Sequence, residues 1–331
     1  MNSFGRIFRV HIFGESHGES VGVNIDGIPA GVSLTVEDFL EDIERRKGGT
    51  QKGTTPRQES DLPIFKSGIF NNQTTGAPLT ILFENNNTRS TDYAKQRAVP
   101  RPGHADFVAS KKFGGFEDYR GGGHFSGRLT VCLVAIGVIA KKLLKEISVK
   151  STILEIGGEP DLEKGLQNAI DAKDSIGGIV ECRVNNLPLG LGEPFFDSAE
   201  SLLAHAVFAI PAVKGIEFGA GFAAAKMFGS EHNDAIEDAT GKTKTNNAGG
   251  IVGGITSGNE LIFRIAIKPT SSTPKPQQTL NWETNQVESF SVKGRHDLCI
   301  ALRVPVVLEA VTAMVLVDLL MLEQRIPRIL Q

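Results

Sequence analysis

Little in this 331-residue chain could serve a disulfide or a metal. Its three cysteines, Cys132, Cys182 and Cys299, are scattered among apolar residues and odd in number, with no CxxC or Cys/His spacing. That excludes a disulfide framework and a structural zinc, and it predicts a reducing compartment and no metal site. A basic excess is also missing. Lys and Arg number 35 against 38 Asp and Glu, a formal charge of −3, with a pI near 6.2. A dedicated nucleic-acid binder usually carries a basic domain, so that class is disfavoured. The longest apolar run, Leu129 to Ala140 with Thr130 inside it, is about 12 residues, short of the roughly 18 that a bilayer crossing needs. The N-terminus turns polar within a few residues and shows no cleavable apolar segment, so a soluble cytoplasmic protein is expected. No G-x-G-x-x-G follows a strand and opens a helix, and no Walker A sequence occurs, which argues against an ordinary dinucleotide or NTP site.

What is plentiful is glycine, 37 residues or about 11% against a typical ~7%. Tight turns in a strand-rich fold explain about half of it. The rest lies in loops beside Arg, Lys, Ser and Thr, where bare backbone amides can approach an anion. Hydrophobic content of 40% and charged content of 22% supply an ample core. No linker or fixed-period repeat divides the chain, so one domain over residues 1–331 is expected.

The spacing of Val36, Phe39, Leu40 and Ile43 predicts a helix over 35–47, capped by Thr35 with Asp38 three residues on. Arg45, Arg46 and Lys47 fall in its last turn, where dipole compensation is the plain reading, and Gly48-Gly49 stop it. The polar stretch Thr50 to Glu59, carrying Lys52 and Arg57, reads as a lid. Leu79–Phe83, Ile179–Val184, Leu261–Ile267 and Ser289–Val292 read as strands. Asp197 to Glu200 caps a helix whose apolar positions run to Ile210. Leu129 to Leu144 and Val306 to Leu322 are too apolar all round for surface helices.

Five constellations carry chemistry. His17, in Gly14-Glu15-Ser16-His17-Gly18, and His104, in Arg101-Pro102-Gly103-His104-Ala105-Asp106, sit in glycine-bearing loops near guanidinium groups. A histidine there can exchange a proton near pH 7 beside an anionic ligand, whereas His11, His205, His232 and His296 have no such setting. Asp118 to Arg128 places Gly121-Gly122-Gly123, Arg120 and Arg128 ahead of an apolar helix, a pattern that suits phosphate or carboxylate. Lys268-Pro269-Thr270-Ser271-Ser272 follows a strand with one cation and three hydroxyls. Gly294-Arg295-His296-Asp297 opens the C-terminal helical region; Asp297 either caps that helix or handles a proton. Together these loops call for a ligand with several negative charges, or two such ligands.

From Gly14 through Gly31, from Asp118 to Arg128, and at Gly294 to Asp297 with Glu309-Ala310, the chain resembles the three signatures of the chorismate synthase family. Arg101 to Asp106, Asn247-Ala248-Gly249-Gly250 and Lys268 to Ser272 match in the same order, so the resemblance runs from about Gly5 to about Gln324. It implies a single-domain α+β fold, a β-α-β sandwich in which antiparallel sheets flank a helical layer. It implies conversion of 5-enolpyruvylshikimate 3-phosphate to chorismate and phosphate by 1,4-anti elimination, the last step of the shikimate pathway. Reduced FMN would be required without net redox change. Under the resemblance His17 is the acid for the leaving phosphate, His104 faces the flavin, and Asp297 assists proton removal. Ser16, Arg46, Arg101, Ser126, Arg128 and Arg295 would hold the substrate. His124, Phe125, Ser126, Pro211, Ala212, Gly253, Lys268, Pro269, Thr270, Ser271, Ser272 and Arg295 would hold FMN. Arg46 and Lys52 match NADPH contacts of members that reduce their own flavin, and a homotetramer is usual. The chain departs from the family pattern at His124-Phe125, at Lys47-Gly48 and Lys52, and at Pro211. Two other readings are a flavin oxidoreductase with net hydride transfer and a non-enzymatic anion- or RNA-binding protein.

Overall fold

Alternation with period two decides the sheets, because successive strand side chains point to opposite faces. In β3 (Ser20–Asp26) Val21, Val23 and Ile25 are buried, and in β5 (Leu79–Glu84) Leu79, Ile81 and Phe83 are buried. The two strands pair antiparallel with Val21 opposite Phe83 and Ile25 opposite Leu79, so their apolar residues share one face. With β1 (Ser3–Phe4), β2 (Arg9–Gly14) and β4 (Ile64–Ser67) they form a five-stranded sheet in the order β1-β2-β3-β5-β4. A second sheet joins β6 (Ser148–Ile156), β7 (Gly178–Asn185), β8 (Val213–Phe218) and β9 (Leu261–Ile267) in the order β8-β9-β7-β6. All pairings in both sheets are antiparallel. The computed structural model describes residues 2–49, 52–57, 59–87, 97–292 and 296–330.

Between the sheets lie α3 (Thr130–Leu144) and α6 (Val304–Leu322); α1 (Glu37–Arg46) and α2 (Asp106–Phe113) come before α3 in the chain, and α4 (Leu162–Ala172) and α5 (Ala199–Val207) come between the two. The helix α3 packs along α6 and against β3, while α6 packs against β6 and β7. Partners on every side explain why both helices are apolar all round. This is the expected α+β sandwich. Where the two helices cross, Gly137 meets Ala310 so closely that a methyl on Gly137 would lie 2.4 Å from the Ala310 Cα. The stretch Ile300–Leu322 is long and apolar enough to cross a bilayer, which corrects the expectation of short apolar runs. Its most apolar window is 94% buried inside the protein, so it is a core helix.

Two buried acids hold α6 in place. The Asp318 carboxylate accepts the backbone N–H groups of Arg6, Ile7 and Phe8 at 2.8–3.1 Å. Glu309 accepts both arms of Arg45 at 2.7 Å, Lys141 at 2.9 Å and the Ser151 N–H at 3.0 Å, tying α1, α3 and β6 to α6. Burial opposes its charge, but Arg45 and Lys141 hold its carboxyl below the usual range.

Element ends depart from expectation where side-chain hydrogen bonds decide them. Thr35 does not cap its helix; its own N–H donates to Asp38 Oδ2 at 2.8 Å, and the helix starts at Glu37. Ser198, not Asp197, caps α5 by accepting the Ser201 N–H, and that helix stops at Val207. The expected strand 289–292 is instead Gln286–Phe290, paired with Gln277–Asn281 in a separate hairpin. Of the expected lid, residues 50, 51 and 58 lie outside the described residues.

Helix propensity alone favours alanine over glycine by about 1 kcal/mol, so bulk at position 137 harms the fold only through the crossing. Gly137→Val is expected to lower stability by at least about 2 kcal/mol, since backbone rather than a movable side chain blocks the space. Urea unfolding checks this. An unchanged midpoint would mean the helices separate freely.

Candidate active site

The chain between β2 and β3 carries Ser16 and His17, and the chain before α3 carries the glycine turn 121–123. These three glycines have φ of 61°, 84° and 54°, a left-handed run that side-chain-bearing residues rarely adopt. The turn brings both singled-out histidines together. A methyl on Gly121 would fall 2.6 Å from His17 Nε2, and one on Gly122 would fall 3.4 Å from His104 Nε2. The Ser16 N–H donates to the Gly123 carbonyl at 3.1 Å, locking the first loop to the turn. His124 Nδ1 donates to the Gly14 carbonyl at 2.8 Å.

Around them lies a cavity of about 660 Å³, lined by His17, Arg46, Arg57, Arg101, His104, His124, Ser126, Arg128, Lys268, Asp297 and Arg303 among others. The residues leading into α3 (Ser126 to Thr130) and into α6 (Asp297 to Arg303) both border it, so both core helices point their N-termini at this space. Unsatisfied N–H groups and the positive dipole ends favour an anion there.

The arginines divide into two groups. Arg46 and Arg128 are buried against one carboxylate, Asp61, which is only 2% exposed and sits at φ 52°. Arg46 also donates to Thr130 Oγ1 and to the carbonyls of Gly127 and Arg128, and Arg128 to Asn85 Oδ1 and the Glu84 carbonyl. Burial, with Arg303 close by, pulls the Arg46 guanidinium down from its usual value. The plain dipole reading of Arg46 is therefore set aside; it is a buried strut of the cavity wall. Arg57 and Arg303 form the second group. Arg57 holds Ser16 Oγ at 3.1 Å and Glu59 at 2.7 Å, while Arg303 holds Asp297 at 3.0 Å and the Arg46 carbonyl at 2.7 Å. Asp297 also accepts the Thr55 N–H at 2.9 Å.

On a further wall, the Lys268 N–H donates to the Ala212 carbonyl, which joins Pro211-Ala212 to the 268–272 loop. Lys268 Nζ reaches Ser271 Oγ at 2.9 Å and the Pro269 carbonyl at 3.1 Å, and among the described residues it has no acidic partner. Burial and then Lys214 lower its pKa, as expected of a cation that lacks a counterion. Arg101 reaches the same loop through Ser272 Oγ at 3.3 Å. Phe125 stands at the cavity 42% exposed, with Phe113 6.3 Å away.

Some expected residues are not brought into this cavity. Lys52 donates to Gln167 at 2.8 Å, and Gly253 turns a short hairpin between Val252 and Ile255; neither lines the space. Pro269 contributes its carbonyl behind the lysine, and Arg295 lies outside the described residues. Conversely, Asp61, Arg57, Arg303, His205 and His296 line the cavity and carried no assignment from sequence. Arg57 stood in a basic loop and was the one most nearly legible.

The sequence model of chorismate synthase matches residues 8–321. A chorismate synthase of Chitinophaga pinensis is 74% identical over 330 residues, covering 99% of each chain. One from Methanocaldococcus jannaschii is 40% identical, covering 97% of this chain and 96% of its own. The chain belongs to the chorismate synthase family. A crystal structure of a chorismate synthase superimposes with a TM-score of 0.71 at 26% identity, covering 97% of this chain and 93% of that one. The family membership spans both sheets and the helices between them, so the cavity is part of the shared fold. Neither the oxidoreductase nor the RNA-binding alternative finds support among these chorismate synthase relatives.

Burial first, then Arg57 and Arg120, hold His17 below the ordinary histidine value of 6.5. As pH falls below 6.5 the unfolded chain takes up this proton first, so His17 lowers stability progressively down to its folded value. An NMR titration of the ligand-free protein is expected to place His17 below 6.5 and to move it upward when inorganic phosphate is added. A value at or above 6.5 would contradict the cationic setting.

Proposed function

We propose that this chain is a chorismate synthase, a lyase that converts 5-enolpyruvylshikimate 3-phosphate to chorismate and phosphate with reduced FMN. The observation that carries the reading is the convergence of His17 and His104 on one glycine turn, inside a cavity whose walls are rich in guanidinium groups. The substrate bears two carboxylates and a phosphate. FMN adds another phosphate, and the uncompensated Lys268 beside Ser271 is a fitting partner for it. A 660 Å³ cavity suits two ligands of this size class.

In this reading His17 protonates the departing phosphate. In the ligand-free protein its neutral form is favoured, and an arriving phosphate anion reverses the balance set by Arg57 and Arg120. Ser16, expected to hold the substrate, is instead buried behind the lining, where its Oγ accepts from Arg57 and fixes that guanidinium beside His17. Asp297, steadied by the Thr55 N–H and Arg303, assists removal of the ring proton. Arg46 and Arg128 supply field from the wall while Asp61 fixes their planes; Arg101 and Ser126 bound the same space. Reduced FMN, when bound, supplies a transient electron donor and proton acceptor. His124, Phe125, Pro211, Ala212 and the 268–272 loop would hold it, with His104 facing its ring. Arg295 belongs to the same proposed set, and Gly253, which does not line the cavity, is dropped from it.

NADPH enters only if the protein reduces its own flavin. Arg46 is buried on internal partners, while Lys52, exposed and bonded to Gln167, stands outside the cavity lining. A cytoplasmic homotetramer completes the proposal. Buried free thiols suit the first, and the exposed Phe195, Phe196, Phe222 and Phe228 suit subunit contacts.

An anaerobic assay with chemically reduced FMN is expected to release phosphate and form chorismate without net flavin oxidation. Flavin oxidised in step with product would make the protein an oxidoreductase instead. Oxidised FMN with NADPH, and no added reductase, tests self-reduction in the same apparatus. His17→Ala is expected to cut turnover about 10²-fold or more while FMN still binds, since general acid catalysis is worth 10²–10⁴. Near-normal turnover would remove the acid role.

A further inference from the structure

One carboxylate stands behind His104 rather than in the cavity. Asp106, in the first turn of α2, takes the Arg101 fork on both oxygens, Nε on Oδ2 at 2.7 Å and Nη2 on Oδ1 at 2.8 Å. Its Oδ1 also lies 2.6 Å from His104 Nδ1. Burial alone would raise its pKa, but hydrogen bonds from Arg101 and His104 outweigh burial and hold the carboxyl well below the usual range. An ionised carboxylate only accepts, so the hydrogen in the 2.6 Å contact belongs to Nδ1.

There is a competitor for that nitrogen. Arg101 Nη2 lies 3.1 Å from Nδ1, and a guanidinium only donates. That contact becomes a hydrogen bond only when Nδ1 carries a lone pair. The two arrangements exclude each other, and the shorter, charge-assisted bond to Asp106 prevails. Nε2 is then the nitrogen on the glycine-turn side, where Gly122 leaves it room.

We propose that Asp106 is a positioning residue that fixes His104 in the Nδ1–H tautomer and thereby sets Nε2 as the nitrogen exchanging a proton in the cavity. The tautomer stands on geometry alone; its effect on turnover rests on the chorismate synthase reading. Removing the carboxylate would do more than loosen the ring. In Asp106→Asn the amide oxygen at the Oδ2 position keeps the two donors it holds there, the Arg101 backbone N–H and Nε. The NH₂ takes the Oδ1 position, losing the Nη2 bond and facing His104, which puts a lone pair on Nδ1 and the proton on Nε2. In Asp106→Ala, Arg101 Nη2 is itself free to donate to Nδ1, with the same inversion.

Histidine-selective ¹⁵N NMR of the ligand-free protein, at a pH where the ring is neutral, reads the tautomer directly. The unmodified protein is expected to show Nδ1–H at His104, and Asp106→Asn to show Nε2–H. Turnover in Asp106→Asn is expected to fall about 10²-fold with KM little changed. Added to His104→Ala, the same substitution should cost little more, because it acts through the ring. If Asp106→Asn keeps the Nδ1–H ring and full turnover while only thermal stability drops, Asp106 is a structural partner of Arg101 and the proposal fails. Should the unmodified protein show the expected tautomer yet form no chorismate, the functional reading fails while the positioning stands.

Discussion

Everything in this protein hangs on the close crossing of α3 and α6 at Gly137 and Ala310. Two helices buried on all sides need an apolar layer above and below, which the alternating strands of the two sheets provide. The crossing also fixes where the chemistry lies. Because both helices present their N-termini to one space, the loops entering them, with Arg128 and Ser126 on one and Asp297 and Arg303 on the other, are forced into proximity. The cavity is thus the place where the core ends.

The interior of that cavity is governed by a shortage of carboxylates. Asp61 serves two buried arginines, Asp106 serves Arg101 and His104, and Lys268 has no acid at all among the described residues. The acids that border the cavity, Glu59, Asp61 and Asp297, are each paired with a guanidinium, and Asp106 stands behind Arg101 and His104, so cations outnumber free carboxylates on the lining. A net acidic protein can therefore hold a site that concentrates anions.

How much of this was legible beforehand follows from what each residue depends on. Leu261–Ile267 was read to the residue, because its alternation is set by one buried face. The core helices were read from unbroken apolarity, although their first turns shifted by one or two residues, as ends depend on local hydrogen bonds. The 277–290 hairpin has no buried residue on either strand to set an alternation, so its second strand was read three residues late, at 289–292, and its first not at all. At the site, His17 and His104 announced themselves through neighbouring glycines, and the structure places both on the turn 121–123. Asp61, Asp106 and Arg303 did not. A carboxylate whose partners lie 15 and 67 residues away, as at Asp61, gains its meaning only from the fold.

The position of α6 in the chain has a consequence for how the molecule is made. This helix occupies the centre of the sandwich, yet it leaves the ribosome after every strand of both sheets. Until residues 304–322 emerge, the face of the second sheet and the flank of α3 that meet α6 have nothing to close against. Glu309 makes the delay sharper, since Arg45, Lys141 and the Ser151 N–H all wait for one late carboxylate. The nascent chain carries a wide apolar surface through most of its synthesis, a burden on chaperones. The cavity closes only when α6 docks.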